Sequence, residues 1–169
     1  MGAIGWRRFP RRLKAAAPTP QNSVERRLRA VEDELAIFRL IASYGPAVDT
    51  GTAGAVAGLW DEAGSYTFDT TTLTGADNVG DLVTSDEHQG YIAQGCAHIL
   101  SLPRITLDGD QATAVNYSRL YRHDGTTWFV ARVSANHWHL ARAENGWAVV
   151  SRRNSLLNGA EAARALLRP

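Results

Sequence analysis

Two side chains capable of proton chemistry stand five residues apart in the stretch Ser43-Tyr44-Gly45-Pro46-Ala47-Val48-Asp49. A phenol can donate a proton, and a carboxylate can take one or hold a neighbouring base in position. Gly45 and Pro46 predict a break or kink in any helix that runs through them, which would turn the Asp49 side chain inward. An inward carboxylate needs a partner. Among the histidines, His98 opens a long β-type run and, taken alone, reads as a core imidazole with both nitrogens satisfied. His137 and His139 form an H-x-H pair on one face of a strand, a conceivable half of a metal site. If Asn136 on the opposite face points into a pocket, however, the pair faces outward, and no metal is expected. His88, in Asp86-Glu87-His88-Gln89, reads as solvated. Cys96 is the single cysteine, so no internal disulfide can form. It suits a reducing, cytoplasmic compartment and reads as a small buried side chain rather than a nucleophile.

The elements that must position these groups follow from periodicity. From a cap at Asn22 or Ser23, Val24, Leu28, Val31, Leu35 and Phe38 recur at spacings of four and three, with Ile41 and Tyr44 continuing the face, which predicts one long amphipathic helix. Ala53 to Trp60 reads as a short helix ending on a bulky anchor. Ser65 to Thr70 alternates, with Tyr66 and Phe68 on one face, and predicts a strand. Thr71 to Gly95 is rich in Thr, Gly and Asp, carries one weak helical hint at Asp77 to Val83, and reads as a lid. Four β-type runs follow: His98 to Leu107, Gln111 to His123, Thr127 to Arg142 and Gly146 to Leu157. Asp108-Gly109-Asp110, Asp124-Gly125 and Asn145-Gly146 separate them as hairpin signals. Helices first and a bent antiparallel sheet afterwards make an α+β architecture, a cone with a pocket at its open end. A short Ala-rich helix is expected at Ala160 to Leu167.

At 169 residues the chain suits one domain with a core that needs no staple. No apolar run approaches the roughly 18 to 20 residues that would span a bilayer, so no membrane is expected. Arg7, Arg8, Arg11, Arg12 and Lys14 crowd the first twenty residues, while the net charge is only +1. The remaining body is therefore mildly acidic and offers no basic groove for nucleic acid. The expected organisation is a disordered basic arm over 1–21, a domain over 22–158, and a short helix or tail over 159–169.

Taken together, the helix, Tyr44, Asp49, Trp60, the strand at Tyr66, His98, the run Ile105 to Ala114 and Gly146-Trp147-Ala148-Val149 resemble the SnoaL-like branch of the nuclear transport factor 2 (NTF2-like) fold over about residues 24 to 157. The resemblance implies a curved, mainly antiparallel sheet wrapped around three helices, and a homodimer or homotrimer. Members of this branch include lyases: scytalone dehydratase, bile-acid 7α-dehydratase and hexachlorocyclohexane dehydrochlorinase. In these an aspartate after the first helix and a histidine opening the long strand remove a carbon-bound proton. Asp49 and His98 fall at those places, and Tyr44 matches the bile-acid enzyme's tyrosine. The pocket asparagine of scytalone dehydratase carries over to Asn136. The dehydrochlorinase's arginine falls near Arg152, with Arg153 possible by a slip of one residue. Phe68 stands where the dehydratases keep a tyrosine, with Tyr66 on the same face. Their second pocket acid or histidine would lie near Tyr121 or Arg122.

The expectation is a cofactor-independent, dehydratase-type lyase acting on a hydrophobic polycyclic or terpenoid-like substrate. His98, Asp49 and Tyr44 would be catalytic, and Asn136, Arg152, Tyr66, Phe68, Trp138, Tyr117 and Tyr121 would contact substrate. The alternatives are a polyketide cyclase or isomerase, and a non-catalytic ligand-binding or dimerisation module.

Overall fold

The computed structural model describes residues 20–168; the expected basic arm lies outside them except for its last two residues, which are already helical. The described residues form thirteen elements, in which two strands interrupt the helices of the first half and five consecutive strands make up most of the second. They are α1 (Pro20–Asp49), α2 (Ala53–Ala57), β1 (Trp60–Phe68), β2 (Thr71–Thr74), α3 (Ala76–Gly80), a 3-10 turn (Asp81–Thr84), α4 (Asp86–Gln94), β3 (Cys96–Leu100), β4 (Arg104–Asp108), β5 (Gln111–His123), β6 (Trp128–Ala143), β7 (Gly146–Leu156) and α5 (Glu161–Ala165). The sheet runs β2-β1-β7-β6-β5-β3, with β4 also on β5. Only the β1–β7 pairing is parallel. The helices cover the inner face of this curved, unclosed sheet, the α+β cone that the sequence led one to expect.

Several boundaries differ from the sequence expectation. The helix α1 begins at Pro20, ahead of the expected cap, and runs through Pro46 to Asp49 without ending at Gly45. Its first apolar positions, Val24, Leu28, Val31 and Leu35, are exposed, and the buried face is Ile37, Ile41, Tyr44 and Val48. At about 100° per residue the early residues and the buried ones centre on faces roughly 140° apart, so the early stripe does not continue the face that meets the sheet. Trp60 opens β1 rather than closing a helix. The expected run from His98 to Leu107 is two strands, broken where Pro103 supplies no donor to a ladder. The lid holds more regular structure than its composition suggested: β2, α3, the 3-10 turn and α4.

Register decides which side chains enter the cone. Reading across the sheet, His98, Leu120 and Arg132 form one inward row. Asn116, Asn136, Asn154 and Phe68 form another, and Ala114, Trp138, Arg152 and Tyr66 a third. Because faces alternate along each strand, Tyr117 and Tyr121 point outward with His137, His139 and Arg153. This settles the choice between Arg152, which is 2% exposed, and Arg153, which is exposed.

Candidate active site

Asp49 is the last residue of α1, and what brings it to the sheet is Gly45, one turn earlier. A Cβ on Gly45 would lie 2.2 Å from the His98 carbonyl oxygen, so only glycine lets the helix backbone press against β3 at this depth. The Asp49 carboxylate then grips His98 twice. Its Oδ2 accepts the His98 backbone N–H at 2.8 Å, and its Oδ1 lies 2.6 Å from His98 Nδ1. A carboxylate only accepts, so this contact places the ring proton on Nδ1 and leaves Nε2 with a lone pair. The His98 side chain is 13% exposed and lines the cavity. The geometry is that of an oriented general base.

The Cys96 thiol completes the surroundings of Asp49, donating to Oδ1 at 3.6 Å. Burial, with the Asp49 charge adding to it, pushes the thiol up to about 11, so it stays protonated near neutrality. Asp49, Cys96 and His98 each offer one atom within a 4.8 Å cluster. A metal there would have to displace the proton shared by Asp49 and His98 and ionise a thiol that its surroundings hold neutral. The donor set therefore fits a hydrogen-bonded dyad better than a cation. On the outer face, burial lowers the His137 imidazole below its ordinary value, with His139, whose ring is 4.7 Å away, adding to the effect.

The cavity holds about 340 Å³, the size of a small organic molecule. Val48, Val56, Phe68, Val79, Leu82 and Val83 supply its apolar wall. Behind it opens an inner chamber of about 30 Å³, lined by Tyr44, Tyr66, His98, Ser118, Ser134 and Arg152 among others. Arg152 is caged there, its guanidinium 4.1 Å from the Tyr44 ring, 4.4 Å from Trp138 and 4.6 Å from Tyr66. Its Nε and Nη2 donate to Asn136 Oδ1 at 3.1 and 2.7 Å, while Nη1 is buried without a partner, as is Ser134 Oγ. Among the described residues no carboxylate pairs with this cation. Burial raises the Tyr66 hydroxyl above the ordinary phenol range, against the pull of Arg152, so it too remains a donor.

The structure thus brings Tyr44, His98, Tyr66 and Phe68 to one cavity and Arg152 to the small chamber beside it, with Asp49 immediately behind His98. Four of the expected contact residues lie elsewhere. Asn136 is fully buried and its amide is consumed: Oδ1 by Arg152 and by Asn154 Nδ2 at 2.8 Å, Nδ2 by Ser118 Oγ at 3.0 Å. Trp138 is fully buried as well, donating Nε1–H to Asn116 Oδ1 at 3.0 Å and stacking on the far side of Arg152. Tyr117 and Tyr121 lie on the outer face, because the inward positions of β5 are taken by Ser118, Leu120 and Arg122.

Sequence reasoning missed His88. Its Nε2 lies 3.0 Å from the Val48 carbonyl, which requires the proton on Nε2, and its ring is 5.7 Å from that of His98 across the cavity. Helix α4 carries it there. The readable signal was Ser85, whose hydroxyl caps the helix at the His88 N–H, followed by Asp86 and Glu87 in the first turn and Tyr91 three residues after His88.

The SnoaL-like domain family matches residues 29–153. An NTF2-like protein with a cystatin-like fold from Novosphingobium aromaticivorans is 40% identical, with a TM-score of 0.86 over 91% of this chain and 100% of that one. A protein of unknown function from Mycobacterium tuberculosis is 19% identical, with a TM-score of 0.69 over 88% of this chain and 92% of that one. A hexachlorocyclohexane dehydrochlorinase, LinA-type3 from Novosphingobium barchaimii, is 16% identical, with a TM-score of 0.67 over 78% and 90%. No curated protein sequence matches the chain.

Proposed function

As this chain belongs to the SnoaL-like domain family, we propose that it is a small-molecule lyase of the dehydratase type, with His98 as the base and Asp49 as the group that orients it. The observation that carries the reading is the double grip of Asp49 on His98, which leaves Nε2 free at the wall of a partly open cavity lined by both apolar and polar side chains. That a hexachlorocyclohexane dehydrochlorinase has this fold supports an elimination.

In the proposed step, Nε2 takes a proton from a carbon next to a carbonyl, and Asp49 stabilises the imidazolium that forms. The C–H electron pair moves toward the carbonyl, and the negative charge on its oxygen falls to the donors of the inner chamber. These are Arg152 Nη1, Ser134 and the hydroxyls of Tyr44 and Tyr66. The carbon–hydroxyl bond of the neighbouring carbon then breaks. The imidazolium returns its proton to the departing hydroxide, so one water leaves and His98 is again neutral. An oriented base supplies on the order of 10² to 10⁴ in rate, about 3 to 6 kcal/mol of barrier; donors aimed at the oxyanion supply the next largest share.

The test is a panel of cyclic β-hydroxyketones in deuterated water, followed by proton NMR for exchange beside the carbonyl and by ultraviolet absorbance for the enone. The wild-type protein should exchange and dehydrate at least one member, with His98→Ala at background. Equal turnover by His98→Ala would remove His98 as the base. Cyclisation of an open-chain diketone in place of enone formation would move the same base to an aldol reaction.

A further inference from the structure

The cavity lining carries more cation than its own carboxylates can balance. Arg122 and Arg132 both line it, and neither forms an ion pair among the described residues. The one carboxylate on the lining is Glu87, which already accepts the Tyr91 hydroxyl. Arg122 lies 4.3 Å over the Tyr91 ring and donates Nη2–H to Gln94 Oε1 at 3.0 Å, while its Nε is buried with no acceptor. Arg132 stands two strands from His98 in the row His98, Leu120, Arg132. At the usual strand spacing its Cα is about 10 Å from that of His98, on the same inner face. The charges of both arginines reach the cavity wall: the Tyr91 hydroxyl, raised by its hydrogen bond to Glu87, is drawn back by Arg122 and Arg132.

A neutral polycyclic ligand would fill the apolar wall and leave both arginines unanswered. A guanidinium presents a planar fork that a carboxylate matches with two oxygens. We propose that the ligand of this site is an apolar carboxylic acid, its hydrocarbon skeleton against Val56, Phe68, Val79 and Val83 and its carboxylate between Arg122 and Arg132. The acid group would set how deep the skeleton enters, and so which carbon meets His98. This placement rests on the lyase reading only for that last point, since the binding itself does not require turnover. Arg132 is exposed and can move onto the ligand; Arg122, stacked and buried at Nε, is the fixed half of the pair.

The experiment uses the full chain with 2-naphthoate and 2-naphthamide, which share a ring system and differ in charge, and measures affinity by calorimetry. Naphthoate should bind about tenfold more tightly than the amide, the worth of one well-formed charged pair. In the Arg122→Gln, Arg132→Gln double variant that preference should fall below about twofold with amide affinity unchanged, and Arg132→Gln alone should give an intermediate value. In His98→Ala the preference should persist, so a failed lyase reading would leave this result standing. Equal affinity for the two probes, absence of saturable naphthoate binding, a preference that survives the double variant, or its loss in His98→Ala would each overturn the proposal.

Discussion

Helix α1 presents two carboxylates to the sheet, sixteen residues or about 24 Å apart along its axis, and they meet opposite kinds of partner. Near the middle of α1 Asp33 is met by Arg142 Nη2 at 2.7 Å and the Trp147 indole N–H at 3.1 Å, with Arg29 at 3.9 Å. Arg142 is saturated in turn, by Asp110 at 2.6 Å and the face of Trp147. Every charge there has a permanent opposite, and the hydrogen bond from Arg142 holds the Asp33 carboxyl below its usual range despite burial. At its end Asp49 meets an imidazole, whose other ring nitrogen is free to accept a proton, and beyond it lies a cavity with an arginine that has no carboxylate. One pole is closed and serves as a staple; the other is open and offers unpaired donors and an unpaired base. Unsatisfied groups concentrated at one end of an otherwise satisfied fold are what a binding or reaction site requires.

The comparison breaks most visibly through the open pole. Asp49→Asn and His98→Ala should each lower the proposed lyase rate by about 10² to 10⁴ while leaving the thermal midpoint nearly unchanged. Steady-state kinetics and melting curves on the same samples check both halves. Gly45→Ala should follow, with a loss of about 3 kcal/mol, because a methyl driven against the His98 carbonyl forces α1 off β3. Its signature is a fall in both stability and rate, read by denaturant titration and the same assay.

Asp33→Asn should do the reverse of the dyad variants: about 2 kcal/mol of stability lost with rate per folded molecule preserved. Its pH dependence carries a definite sign. A carboxyl whose folded value lies below its unfolded value, here 3.8, contributes fully above the unfolded value and loses that contribution as pH falls through the folded one. The stability gap between wild type and Asp33→Asn should therefore be constant near neutrality and close below about pH 4, in urea titrations across that range. The smallest effect should come from replacing the unpaired cation. Arg152→Met should change stability by less than about 1 kcal/mol in either direction, since the hydrogen bonds to Asn136 and the stacking on three rings are lost together with the desolvation cost of a buried charge. Arg142→Met, which strands Asp33, should cost more.

What the sequence made legible divides along similar lines. Hairpin turns were readable because Gly109, Gly125 and Gly146 adopt the positive φ that such turns need, and few other residues do. The pairing of Asp49 with His98 was readable only through the family resemblance, because His98 taken alone has the signature of a core imidazole. Register was not, since a slip of one residue exchanges faces, and it separated Arg152 from Arg153 and turned Tyr117 and Tyr121 outward. Gly45 misled for a physical reason. Glycine inside a helix lowers its stability, yet here the gain is that the helix backbone can press against His98 on β3. His88 was lost because a short helix with a polar face resembles a loop in composition, and its inward direction depends on where α4 docks.

The central claim is that Asp49 fixes the tautomer and direction of His98, and histidine nitrogen NMR on the unliganded protein tests it most directly. With nitrogen-15 in the imidazole rings, His98 at neutral pH should show its proton on Nδ1 and an unprotonated Nε2, and Asp49→Asn should erase that preference. A His98 ring carrying its proton on Nε2, or a spectrum indifferent to Asp49→Asn, would contradict the account.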